Sequence, residues 1–143
     1  MKTSAKGIAL IKQSESFRAQ AYQCQAGVWT IGYGSTQGVC QGMVISEPDA
    51  TRRLEMDVQM IEMQLTRLGL RLRQNQFDAL VDFIYNLGIG AFLRSGLLQM
   101  IRVNPDNSNI ATEFRKWRIA AGKPSQGLVN RREAEIRLYQ SLT

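Results

Sequence analysis

Apolar positions along the chain follow two periods, one of two residues and one of three to four. Ile8 and Ile11 stand at helical spacing behind Ser4, a residue suited to cap a helix, so the first element reads as a helix. Glu15 continues the same stripe at the helix's last turn, on the side meant for the core. From Ala21 to Thr36 the period drops to two. Trp29, Ile31 and Tyr33 share one face, Val28, Thr30 and Gly32 the other, and Gly27 sits where a hairpin would turn. A small antiparallel sheet over about 21–45 is expected, the only β structure in the chain. Beyond it everything reads as helix. Ser46 and Asp49 form a capping box with Pro48 in the first turn, and Leu54, Val58, Ile61, Leu65 and Leu68 keep one stripe up to Gly69. Phe77, Leu80, Val81, Ile84 and Leu87 make the next helix, closed by Gly88. Shorter helices are expected at about 91–102 and 107–118, and after Gly122-Lys123-Pro124 a last one from Leu128 to Leu142. Trp29 and the aromatics of the helical part, Phe77, Phe83, Phe92, Phe114 and Trp117, are assigned to the core.

The fold class is therefore α+β and mainly α, in a single domain over 1–143. A small antiparallel β-lobe occupies about 14–45; a larger helical lobe takes about 46–143 and the N-terminal helix. The 46–68 helix bridges them and leaves a cleft between, the usual place for a ligand.

Composition narrows the chemistry. The sequence has no histidine, so Ser-His-Asp triads, Cys-His pairs and His-ligated zinc sites are absent. Two cysteines, Cys24 and Cys40, are too few for a thiolate cage, and no glycine-rich phosphate loop is present. Carboxylates, hydroxyls and two thiols remain, a set that suits glycoside hydrolysis with no metal or cofactor. A net charge of +6 favours polyanionic partners without choosing among nucleic acid, anionic lipid and cell wall. No apolar run approaches the roughly 20 residues of a membrane span, and Gly7–Ile11 is too short for the core of a signal peptide. Synthesis in the cytoplasm, with no signal peptide and no membrane insertion, is the expectation.

Several blocks, in order and with their spacing kept, resemble one family. They are Leu10-Ile-Lys-Gln-x-Glu15-x-Phe17-Arg18-x-x-Ala21-Tyr22, Gly27-Val-Trp-Thr-Ile-Gly-Tyr-Gly34, Gln76-Phe77-Asp78-Ala79-Leu80-Val81, Asn86-x-Gly88-x-Gly90-Ala91, Glu113-Phe114-x-x-Trp117 and Gly127-Leu128-Val129-x-Arg131-Arg132-x-Ala134-Glu135. Together they resemble the phage-type lysozymes of glycoside hydrolase family 24. The resemblance covers essentially the whole chain. It implies a lysozyme-like fold and an endolysin-type muramidase, which cuts the β-1,4 bond between N-acetylmuramic acid and N-acetylglucosamine in peptidoglycan and lyses the cell.

It also implies roles. The family signature is a Glu, eight residues, an Asp or Cys, five residues, then a Thr; Glu15, Cys24 and Thr30 stand at those intervals. Glu15 would protonate the departing glycosidic oxygen. Its place near the core, at the negative end of a helix dipole, disfavours the carboxylate, while Arg131, matching an arginine beside the family's acid, favours it. Cys24 stands where most members carry Asp. A thiol is mostly neutral at pH 7, so it serves as a weak base or hydrogen-bond partner for water, or as a thiolate nucleophile. Thr30 would hold water beside it. Tyr33, on the Trp29 face, is a candidate sugar contact. Ser35 replaces the family's usual His, so a supporting contact in the β-lobe is expected to be lost, and Ser16 replaces a glycine at the helix-to-strand turn. The implied partners are peptidoglycan glycan strands and a holin-type agent that opens the inner membrane, so that a monomeric enzyme reaches the periplasm. Two rivals are a catalytically impaired wall-binding or interaction protein with the same fold, and a basic nucleic-acid binder supported by charge alone.

Overall fold

The computed structural model describes residues 1–142. Helix α1 spans Ala5–Glu15 and leads into a hairpin of β1 (Arg18–Gln23) and β2 (Trp29–Gly32). Then come α2 (Glu47–Arg67), α3 (Gln74–Leu87), α4 (Ile89–Leu93), α5 (Gly96–Val103) and α6 (Ile110–Arg115). A two-residue pair, β3 (Ile119–Ala120) and β4 (Lys123–Pro124), precedes the final helix α7 (Gln126–Gln140).

The expected architecture is present. Strands β1 and β2 are antiparallel, with Tyr22 opposite Thr30 and Gln23 opposite Trp29. A third stretch adds to them: Ala21 N–H donates to Met43 O at 2.9 Å and Ile45 N–H to Ala19 O at 2.8 Å. Helix α2 starts where Ser46 Oγ accepts the Asp49 N–H, with Glu47 and Asp49 at the positive end of its dipole. Its Ala50 approaches the β-lobe so closely that a Cβ on Gly32 would stand 3.0 Å from the alanine Cβ. The rest of its stripe, Leu54, Val58, Ile61 and Leu65, is buried in the helical lobe. One helix thus belongs to both lobes.

Helix α3 is the centre of the helical lobe, buried on every side from Asn75 to Ile84. Phe83 meets Phe92, Phe114 and Trp117 edge-on at centroid distances of 5.8–6.0 Å, a geometry the ring quadrupoles favour.

Four expectations need correction. The β3–β4 hairpin is a second piece of β structure; Ala121 and Gly122, both at positive φ, form its two-residue turn. The stretch expected as one helix over 91–102 is two, divided where Ser95 Oγ accepts the Leu98 N–H and so starts α5 anew. The helix expected over 107–118 is the shorter α6, preceded by turns in which Asn104 and Asn107 side chains take the N–H groups of Asp106 and Asn109. Trp29 is half-buried rather than core, whereas Thr30, Ile31, Gly32 and Tyr33 are all buried. With α2 covering β2, neither face of that strand is left to water, and the alternation in its sequence does not set its burial.

Candidate active site

Helix α1 stops at Glu15 because Ser16 leaves the helical region, at φ 62° and ψ 152°, while its N–H still closes on Lys12 O at 3.0 Å. That bend delivers the Glu15 side chain to the junction of the two lobes. The carboxylate is 22% exposed, and its Oε1 accepts a hydrogen bond from Arg131 Nη1 at 2.7 Å. From the β-lobe side Gly34 closes over Oε2. Its φ is +94°, and a Cβ there would lie 3.0 Å from Oε2 and 3.4 Å from the Tyr85 hydroxyl, so any other residue would be strained and would crowd the acid. Tyr85 on α3 in turn donates to Tyr33 O at 2.6 Å and pins this loop. Burial, with Asp57 and Glu15 nearby, raises the Tyr85 phenol far above its ordinary range, so it stays a donor.

Arg131 is held as firmly as the acid. Only 8% exposed, it gives Nε and Nη2 to Asp82 at 3.0 and 2.9 Å, and Asp82 is fully buried on α3. Burial opposes the guanidinium charge, but Asp82 and then Glu15 outweigh it, and the net shift is upward. The next residue, Arg132, is also fully buried and binds Glu135 through Nε and Nη2 at 2.6 and 2.9 Å, with Asn86 and the Trp117 carbonyl as further acceptors.

Cys24 and Thr30 come together at the end of the β1–β2 hairpin. Cys24 N–H donates to Val28 O at 3.0 Å, and Gly27 N–H to Cys24 O at 2.8 Å, so the turn curls back on the cysteine. Hydrogen bonds from Val28 and Ala26 backbone, with a lesser one from Thr30, lower the Cys24 thiol from its ordinary value although burial opposes them. The Thr30 hydroxyl is buried and donates to Val28 O at 3.0 Å. Cys24 and Cys40 are both free thiols. Among the described residues no cluster of three or more His, Cys, Asp or Glu is arranged to hold a metal.

Tyr33 occupies a supporting position. Its ring is buried 5.7 Å from that of Phe17, and its hydroxyl donates to Glu47 Oε2 at 2.7 Å. Ser35 makes a contact of its own. Buried, it donates to Asp57 Oδ2 at 2.8 Å and fastens the β-lobe to α2. A groove of about 520 Å³ lies beside this ensemble between α1 and α7. It is lined by Arg131, Gln13, Ser14 and Asn130, among others, but not by Glu15, Cys24 or Thr30.

Asp82, Glu135, Tyr85 and Gly34 are the site's contributors that periodicity did not single out. Asp82 carries a signal of its own, a carboxylate inside the apolar run Ala79-Leu80-Val81-Asp82-Phe83.

A helical and a β-lobe sharing one bridging helix, with a glutamic acid held by a buried arginine at their junction, define a glycoside hydrolase of lysozyme type. Comparison with known proteins agrees: residues 12–135 match the phage lysozyme family model, and the chain belongs to that family. It is 42% identical over 146 residues to the endolysin of Acyrthosiphon pisum secondary endosymbiont phage 1, with 99% of each chain covered. It is also 42% identical to the endolysin of Bacillus phage B103, spanning 54% of that longer protein. Among solved structures, the muramidase domain of SpmX from Asticaccaulis excentricus superposes with a TM-score of 0.91 at 34% identity, covering 98% of both chains.

Proposed function

We propose that this chain is an endolysin-type muramidase that cuts the β-1,4 bond between N-acetylmuramic acid and N-acetylglucosamine, with Glu15 as proton donor and Cys24 and Thr30 handling the attacking water. The observation that carries this reading is the clamp on Glu15. Arg131 fixes one carboxyl oxygen at 2.7 Å, while Gly34 leaves room for the other. A general acid needs such a fixed direction; Oε2, the oxygen that Arg131 leaves free, is the one that would pass a proton to the glycosidic oxygen as the bond breaks. The resulting oxocarbenium-like centre needs a negative charge and a water on its far side. Cys24 supplies the charge as a thiolate, which the Val28 and Ala26 backbone groups favour. Thr30, whose hydroxyl lies 3.0 Å from Val28 O and within reach of Cys24, helps to hold that water.

The wider reading follows its relatives, which are phage endolysins. The enzyme is made in the host cytoplasm, passes an inner membrane opened by a holin-type partner, and works as a monomer on the wall. Its charge of +6 suits that anionic polymer. Turbidity of outer-membrane-permeabilised Gram-negative cells tests the function. Wild type clears the suspension and Glu15→Gln does not; equal clearing by both, or by neither, refutes the assignment.

A further inference from the structure

Behind Glu15 runs a line of charges deeper than one ion pair requires. Arg131 gives Glu15 only Nη1, while Asp82 receives both Nε and Nη2. Beyond Asp82 stand Glu135 and its own partner Arg132, all three fully buried. Burial, and next Asp82 itself, hold Glu135 well above the usual carboxylate range, so the two carboxyls lie within each other's influence. A bidentate arginine–carboxylate pair is the strongest form of this contact, and it is made to Asp82, not to the acid.

We propose that Asp82 is a positioning residue for the acid: it takes two of the donors of Arg131 and part of its charge, so that the guanidinium reaches Glu15 through Nη1 alone. This rests on Glu15 being the proton donor. An acid beside an unshared buried arginine would ionise too readily to carry a proton to substrate. With Asp82 in place, Arg131 is already matched and Glu15 needs only to be aimed. The other charged groups around this point are few. Tyr85 of α3 faces the acid and Asp57 of α2 lies near Tyr85. Lys12, on α1, is turned to Glu47 at 3.4 Å. Glu135 and Arg132 of α7 back Asp82.

The test is the pH dependence of kcat/KM on soluble peptidoglycan fragments for wild type, Asp82→Asn, Asp82→Ser and Glu135→Gln, with the Glu15 carboxyl followed by ¹³C NMR. The alkaline limb, where the acid loses its proton, is expected to move to lower pH by about one unit in the Asp82 variants and less in Glu135→Gln. The Glu15 carboxyl titration should move the same way, with KM little changed. Asp82→Ser stands in if Asp82→Asn does not fold. A limb and a carboxyl titration that stay put in a folded Asp82 variant overturn the proposal, because a purely structural Asp82 would lower stability and move neither. If the wild type proves inactive, the functional reading fails, and the NMR titration still decides this one.

Discussion

Replacing Ser16 by glycine should make the protein more stable. At φ 62° and ψ 152°, Ser16 sits close to a region of backbone space that glycine alone enters freely. Holding a residue with a Cβ there costs about 1–3 kcal/mol, whereas the extra freedom glycine brings to the unfolded chain costs about 0.4–1 kcal/mol. The Ser16 side chain is exposed, and its N–H bond to Lys12 O is kept in glycine. The balance favours Ser16→Gly by about 0.5–2 kcal/mol. For a domain near this size each kcal/mol moves the melting temperature by about 2–4 °C, so a rise of about 1–8 °C is expected by calorimetry. Because the bend that aims Glu15 would be relieved rather than altered, activity should be preserved. A melting temperature equal to or below that of the wild type would show that Ser16 is not strained.

Other perturbations separate the site's parts. Ala121→Asn, in a two-residue turn where φ is 51° at Ala121 and 78° at Gly122, should add a few tenths of a kcal/mol in denaturant titrations, since Asn-Gly is the favoured pair there; a loss would show that the turn is not of that type. Gly34→Ala sets a methyl 3.0 Å from Glu15 Oε2, so the carboxyl must shift by a few tenths of an ångström, and kcat should fall by about 10-fold, less than the roughly 10²-fold of a 1 Å misplacement. Wild-type kcat would rule that crowding out. Arg131→Met leaves fully buried Asp82 without its partner and should cost about 3–5 kcal/mol in urea unfolding. For Cys24 the sign is set by its lowered thiol: thiolate grows as pH rises, so activity should climb below the ordinary thiol value of about 8.5. Cys24→Asp, ionised throughout that range, should flatten the climb; an unchanged profile would mean that the thiolate plays no part.

Much of this was legible in the sequence, for identifiable reasons. The long stripe from Leu54 to Leu65 fixes its helix because burying one face of so long a segment favours that geometry. Glu15 was visible as a carboxylate on such a stripe. Short elements were not: α4, α5 and β3–β4 are decided by one cap or one turn, at Ser95 and at Ala121-Gly122. The Ser35 bond was not legible because its partner Asp57 sits 22 positions along the chain, on α2. Asp82 and Arg131 are 49 positions apart and meet only through the packing of α3 against α7.

The central claim, that Glu15 protonates a muramyl linkage, is tested most directly by incubating purified peptidoglycan with wild type and Glu15→Gln and identifying the new ends by mass spectrometry. Wild type is expected to release fragments ending in reducing N-acetylmuramic acid, and Glu15→Gln to release essentially none. Reducing N-acetylglucosamine ends, or the same muramic acid ends from Glu15→Gln, would contradict the account.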